Sequence, residues 1–163
     1  MNPAPTGRME ISDDGRVIAF DREFAASIDD VWASITETER TARWIGSWAG
    51  DPASGTVDIT WLAEEGAPTE PARIVECTAP ERLSLILNPD DAAPWYITID
   101  LRHNAGTTTL TFRQRLGAGV TPSTVGGGWD FYLDRLVAVR AGEQPRPFDG
   151  YPEGTEAHYR ALD

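Results

Sequence analysis

Residues 121–142, TPSTVGGGWDFYLDRLVAVRAG, carry the longest helix signal in the chain. The apolar residues of this stretch recur with the 3.6-residue period of an α-helix, at Trp129, Tyr132, Leu133, Leu136 and Val137. Pro122 suits a first helical turn, and Gly142 suits the residue that ends a helix. We therefore predict a helix over residues 124–141. Its wide apolar face requires a large apolar surface to pack against.

Three consecutive glycines, at positions 126–128, interrupt the entry to this helix. Each glycine costs about 1 kcal/mol relative to alanine in a helix interior. Two explanations follow from that cost. Either the helix begins after the glycines, or a backbone segment or a ligand comes close to them.

The remainder of the chain predicts a sheet for this helix to cover. Residues 16–24 alternate as a first strand, and two short helix signals follow over 27–36 and 36–44. Five more strand segments lie at 56–62, 72–78, 83–87, 95–101 and 107–116. Because short turns join these strands, neighbouring strands are expected to pair antiparallel. The predicted class is α+β, with a long C-terminal helix on an antiparallel sheet.

A chain of 163 residues has the length of one domain with a single core. We predict a flexible N-terminal lead-in over 1–15 and the domain itself over 16–142. Residues 143–163 are rich in Pro, Gly and charge. This tail is expected to pack on the domain through Tyr151, Tyr159 and Leu162.

The net charge of −12 argues against nucleic acid and anionic membranes as partners, since both require clustered positive charge. All 14 basic residues are Arg, and the lack of Lys excludes a Walker-type phosphate loop and a lysine Schiff base. The one cysteine, Cys77, excludes an internal disulfide and fits a reducing compartment. Because the N-terminus has no apolar run, we predict a cytoplasmic protein.

Catalytic signatures such as G-x-S-x-G, H-E-x-x-H and C-x-x-C are absent from the sequence. Two scattered histidines and one cysteine make a poor metal set, so we predict no metal, no cofactor and no catalytic residue. Asp130 and Asp134 lie one helical turn apart. We predict a solvated helix face for them rather than a carboxylate pair for acid–base chemistry.

The chain has six tryptophans, which is a large number for 163 residues. Some of them lie where the apolar faces of the strands and of the long helix are expected to meet. Trp61, Trp95, Trp129 and Phe112 are predicted to wall an apolar pocket, the usual form of a small-molecule site. Core filling is the alternative. Tyr132 and Leu133, on the same helix stripe as Trp129, complete the predicted apolar wall.

Two polar residues interrupt apolar strand faces and are predicted as the polar contacts of that pocket. Arg73 is in phase with Val75 and Cys77, and Gln114 is in phase with Phe112. A buried polar group needs a partner, which a ligand could supply. For Arg73 the alternative is a sheet edge from which the side chain reaches water.

The sequence resembles the SRPBCC superfamily, the START-like or Bet v 1-like helix-grip proteins. Within it, the chain is similar to the group related to the C-terminal domain of the Hsp90 ATPase activator. The resemblance covers about residues 16–142. It rests on F-D-R-E-F at 20–24, D-V-W at 30–32, Trp44, Gly55, P-E-R-L at 80–83, G-T-T-T-L-T at 106–111 and G-G-W at 127–129.

The resemblance implies a curved sheet that wraps around the C-terminal helix and leaves a cavity between them. The preferred function is binding of a small hydrophobic molecule in that cavity. One alternative is a protein-interaction module with a chaperone or another protein as its partner. A cyclase or hydrolase that uses Arg73 and Gln114 is the second alternative. A homodimer also remains open.

Overall fold

The computed structural model describes residues 4–148 and 154–163, which form an eight-stranded antiparallel sheet and four α-helices. The strands are β1 (Arg8–Ser12), β2 (Gly15–Phe24), β3 (Ser47–Ala49), β4 (Thr56–Thr60), β5 (Thr69–Thr78), β6 (Arg82–Leu87), β7 (Trp95–Asn104) and β8 (Thr107–Arg115). The helices are α1 (Ile28–Thr36), α2 (Thr38–Thr41), α3 (Pro122–Arg140) and α4 (Thr155–Arg160). A short 3₁₀ turn spans Pro52–Ser54.

The sheet order is β1-β2-β8-β7-β6-β5-β4-β3. Strands β3 to β8 therefore form a meander, and β2 pairs with β8 at its end. Phe20 of β2 lies opposite Phe112 of β8, and both side chains face the core. The two short helices follow β2, as predicted. The curved antiparallel sheet and the long helix α3 together confirm the predicted helix-grip class.

Helix α3 confirms the helix predicted over 124–141 and extends it by two residues at the start. Trp129, Leu133 and Leu136 are 5%, 1% and 0% exposed, so the predicted stripe is core. Val137, the last member of the predicted stripe, is 40% exposed because it lies at the edge of the buried face.

The helix runs through all three glycines, and a close aromatic neighbour explains the first of them. A Cβ placed on Gly126 would lie 2.3 Å from Cδ1 of Tyr159, which is carried by α4. Only glycine leaves room for this ring so close to the helix. A Cβ placed on Gly128 would meet no atom within 4 Å, so nothing in the protein requires that glycine.

We expect opposite effects when the two glycines are replaced by alanine. Gly128→Ala should raise the free energy of unfolding by about 0.5–1 kcal/mol, because alanine restricts the unfolded chain and favours the helix. Gly126→Ala should lower it by about 1–3 kcal/mol, because the new methyl group collides with Tyr159. Urea denaturation of both variants measures the two shifts. Equal shifts in the same direction would contradict the packing of Tyr159 on α3.

The prediction of a flexible lead-in over 1–15 is wrong for residues 8–12. They form β1, which pairs antiparallel with β2 from Arg8 opposite Ala19 to Ser12 opposite Gly15. The hairpin turn is made by Asp13 and Asp14, and Gly15 follows them with a φ of 123°. The Asp-Gly pair at 14–15 is a hairpin signal that lies inside the stretch predicted as a flexible lead-in.

The C-terminal segment returns to the start of α3. Tyr159 is 1% exposed, and its hydroxyl accepts a hydrogen bond of 3.0 Å from the backbone N–H of Gly7. The carboxylate of Asp163 accepts hydrogen bonds of 2.8 and 2.6 Å from the backbone N–H and the hydroxyl of Ser123. Tyr151, also predicted to hold this tail, lies outside the described residues.

A buried ion pair joins β2 to α3, and it corrects the prediction of a solvated face for Asp130. Arg22 and Asp130 are 8% and 6% exposed, and Arg22 Nη2 lies 2.9 Å from Asp130 Oδ1. Asp134 also contacts this guanidinium, at 3.0 Å, but remains partly exposed. The helix periodicity placed Asp130 outside the Trp129–Leu136 stripe. Burial follows instead from the N-terminal segment and α4, which cover that side of α3.

Within residues 4–148 and 154–163, no helix combines the length and the apolar character needed to cross a membrane.

Candidate functional site

An apolar cavity of about 180 Å³ lies between the inner face of the sheet and the helices. Hydrocarbon side chains from β4 to β8 form most of its walls, together with the ends of α1 and α2. Its aromatic lining residues are Trp44, Trp48, Trp61, Phe112 and Trp129. The exposed residues Pro52 and Cys77 also line it, so the cavity reaches the surface between them.

A second space, the acidic pocket, adjoins the apolar cavity and has a volume of about 340 Å³. It lies where the start of α3 faces the segments that follow β4 and β6. Its lining combines aromatic rings with three carboxylates: Trp61, Trp95, Trp129, Tyr132, Glu64, Glu70 and Asp91. Trp61, Leu87 and Trp129 line both spaces and therefore form the partition between them.

Trp129 is the central side chain of both spaces. Its ring centroid lies 4.5 Å from that of Phe112, 6.0 Å from Trp95 and 6.4 Å from Trp61. The indole Nε1 donates a hydrogen bond of 2.7 Å to Oε1 of Gln114. These contacts hold the indole in one orientation.

Gln114 is fully buried behind this indole and lines neither space. Its Nε2 has no hydrogen-bond partner among the described residues. The sequence predicts Gln114 as a polar contact of the pocket, and the geometry instead makes it the acceptor that positions Trp129. Leu133, 1% exposed, likewise lines neither space and packs in the core.

Arg73 points away from the apolar cavity, so its predicted role as a pocket contact is wrong. Its side chain is 52% exposed and lies 3.9 Å from Asp90. A β-bulge between Ile74 and Glu76 explains the error. It shifts the alternation, so that Ile74 and Cys77 share the inner face while Arg73 lies on the outer face.

Two carboxylates of the acidic pocket are held by aromatic donors. Trp61 Nε1 donates a hydrogen bond of 2.9 Å to Glu70 Oε2, and the Tyr132 hydroxyl donates one of 2.9 Å to Glu64 Oε1. Burial raises the pKa of Tyr132, and the hydrogen bond to Glu64 raises it further. Tyr132 is therefore a neutral donor at physiological pH.

The three carboxylates were missed at the sequence level. Glu70 carries a usable signal, because it alternates with the inward residues Ala72 and Ile74 at the start of β5. Glu64 and Asp91 lie in connecting segments, where no periodicity tells which side chains face a pocket. Within the described ranges, the His, Cys, Asp and Glu side chains form no group of three that could hold a metal ion.

Several solved structures share this fold. The solution structure of CalU16 from Micromonospora echinospora has a TM-score of 0.72 and 20% identity, covering 99% of this chain and 97% of that one. The protein encoded by gene BPP1335 from Bordetella parapertussis has a TM-score of 0.73 and 23% identity, covering 98% and 94%. DynU16, from the dynemicin biosynthetic locus, has a TM-score of 0.59 and 18% identity, and the match covers 83% of this chain and 50% of that one. Identities this low show the fold alone.

The comparison with curated proteins finds no match. The family model of activator of Hsp90 ATPase homolog 1-like proteins matches residues 25–141, from the segment before α1 to the end of α3. That range includes every residue that lines the apolar cavity and the acidic pocket. The chain therefore belongs to the activator of Hsp90 ATPase homolog 1-like family, which is the group it resembles in sequence.

Proposed function

We propose that this protein binds a small hydrophobic molecule in the apolar cavity. The observation that supports the proposal best is the lining, which offers almost no polar atoms to water. Empty cavities of about 150 Å³ with such walls stay dry and accept benzene or xenon in other proteins. A cavity of 180 Å³ has room for a small aromatic ring or a short alkyl chain.

The energetics favour an occupant. Atoms that line an empty space lose dispersion contacts, and a hydrophobic ligand restores them while it leaves water. The surface opening beside Pro52 and Cys77 offers a route of entry. The occurrence of DynU16 in a biosynthetic locus agrees with a small-molecule role for this fold, although the shared identity is only 18%.

A series of n-alkanols from butanol to dodecanol tests the proposal. Each added methylene should strengthen binding by about 0.8 kcal/mol, roughly fourfold in Kd, until the cavity is full. Longer alcohols should then gain nothing. Isothermal titration calorimetry gives the Kd values, and a binder should also raise the melting temperature, since it binds only the folded state.

Two variants of one strand locate the binding. Leu85 lines the cavity, whereas its neighbour Ile86 lies on the opposite face of β6. Leu85→Phe fills part of the cavity and should weaken binding of the best alcohol at least tenfold, whereas Ile86→Phe should leave it within twofold. The proposal fails if no alcohol binds, or if both variants weaken binding equally.

A further inference from the structure

The acidic pocket has the composition of an aromatic cage. Trp61 and Tyr132 lie 5.8 Å apart at an interplanar angle of 45°. Trp129 lies 6.2 Å from Tyr132 and 6.0 Å from Trp95, with an angle of 65° to Trp95. Rings at such angles are arranged like adjoining walls rather than a stack. All four line the same 340 Å³ space.

The carboxylates of this pocket have no cationic partner among the residues that the structure describes. Glu70 and Glu64 accept hydrogen bonds from an indole N–H and a phenol, which are both neutral donors. None of Glu64, Glu70 and Asp91 is in an ion pair within the described parts of the chain. Elsewhere on the surface, ion pairs with Arg are frequent, as at Arg82 and Arg113.

The described residues place no Arg or His in the pocket lining. Arg135, one turn along α3 from Tyr132, is directed elsewhere. It donates a hydrogen bond of 3.0 Å from Nε to the carbonyl oxygen of Trp44, and another from Nη1 to the carbonyl oxygen of Arg146. The lining therefore has three negative charges and no positive one.

Gly128 gives the pocket additional room. It lines the acidic pocket, and no atom lies within 4 Å of where its Cβ would be. The helix backbone is thus bare on this side. A ligand group can therefore approach the helix backbone closely. A side chain at position 128 would prevent this approach.

We propose that the acidic pocket binds the alkylated ammonium group of a small organic cation. Trp faces attract cations through the ring quadrupole, and rings around a quaternary ammonium also contact its methyl groups. The carboxylates add attraction without needing a hydrogen bond from the ligand. Aromatic walls select an alkylated ammonium over a strongly hydrated inorganic ion, which carboxylates alone would not do. The proposal goes beyond the apolar cavity and does not require it to be occupied.

Choline and its uncharged isostere 3,3-dimethylbutan-1-ol test the role of the charge, because the two differ only in nitrogen against carbon. Both titrations are made at constant ionic strength and at saturating octan-1-ol, which occupies the apolar cavity if that cavity binds alkanols. Calorimetry and tryptophan fluorescence should then show choline binding at least tenfold more tightly than the isosteric alcohol. Glu64→Gln and Glu70→Gln should each weaken choline binding at least fivefold and leave the alcohol within twofold. Glu23→Gln, an exposed site on β2, makes the same change in net charge and should have no effect.

Removal of an aromatic wall tests the cage. Trp95→Leu should reduce the preference for choline over the alcohol at least fivefold, whereas the Gln variants remove charge and keep the rings. The proposal is overturned if choline binds no more tightly than its isostere, if choline does not bind at 50 mM, or if Glu23→Gln weakens it as much as Glu70→Gln. None of these results bears on alkanol binding in the apolar cavity, so the two proposals fail separately.

Discussion

Replacement of Asp130 by Ala is expected to lower the free energy of unfolding by about 3–5 kcal/mol, the usual cost of leaving one member of a buried ion pair alone. Oδ1 of Asp130 accepts from Arg22 Nη2 at 2.9 Å and from the Thr6 hydroxyl, and Oδ2 accepts from the Thr6 backbone N–H at 3.1 Å and from the Tyr159 hydroxyl. The carboxylate therefore links β2, α3, α4 and the N-terminal segment.

Asp134 provides the matched control, because its carboxylate contacts the same Arg22 nitrogen at 3.0 Å but is 34% exposed. Burial raises the pKa of Asp134. Arg22 lowers this pKa, and the charge of the neighbouring Asp130 raises it further. Asp134→Ala should therefore cost no more than about 1 kcal/mol. Urea denaturation at pH 7 measures both variants. An Asp130→Ala cost below about 1 kcal/mol would show that this network does not hold the four segments together.

Replacement of Trp129 by Ala is the second large expected effect, again about 3–5 kcal/mol of unfolding free energy. The indole is 5% exposed, and its ring contacts Phe112, Trp61 and Trp95. Loss of the indole also removes the hydrogen-bond donor to Oε1 of Gln114. The buried Nε2 of Gln114 already has no partner among the described residues, so the amide would then lack partners at both atoms.

Trp95→Ala is the matched control for Trp129, since this half-buried indole lines the acidic pocket but not the apolar cavity. It should cost about 1 kcal/mol, the typical value for a residue that creates no buried void. Thermal and urea unfolding compare the two. Equal costs would contradict the central position of Trp129, and an unchanged stability in Trp129→Ala would contradict its burial.

The sequence predicts those parts of the fold that depend on local periodicity. The 3.6-residue stripe finds α3, and the alternation of apolar residues finds β2, β7 and β8 within a few residues. The three-residue β3 and the six-residue α4 have too little length to show a period, so neither is predicted. The place of Tyr159 against Gly126 is a contact between distant parts of the chain, which no local pattern contains.

The site is also predicted only in part, because local periodicity indicates which face of a strand or helix a residue occupies but not how connecting segments fold. Phe112 and Trp129 lie on periodic elements and Trp61 directly follows β4, and all three line the apolar cavity. Trp95 and Tyr132 line the adjoining acidic pocket. Arg73 is misplaced because a bulge changes the phase of β5, and a bulge has no clear mark in this sequence. The acidic side chains at 64 and 91 depend on how connecting segments fold back over the start of α3.

The central proposal, a hydrophobic ligand inside the apolar cavity, is tested most directly by intermolecular nuclear Overhauser effects. Uniformly ¹³C-labelled protein is mixed with unlabelled octan-1-ol, and an isotope-filtered experiment records protein protons close to the ligand. We predict contacts from the alcohol's methylene protons to the methyl groups of Leu85 and Ile97 and to the ring of Phe112, all of which line the cavity. Contacts confined to outer-face residues such as Ile86, or no contacts at saturating alcohol, would contradict the proposal.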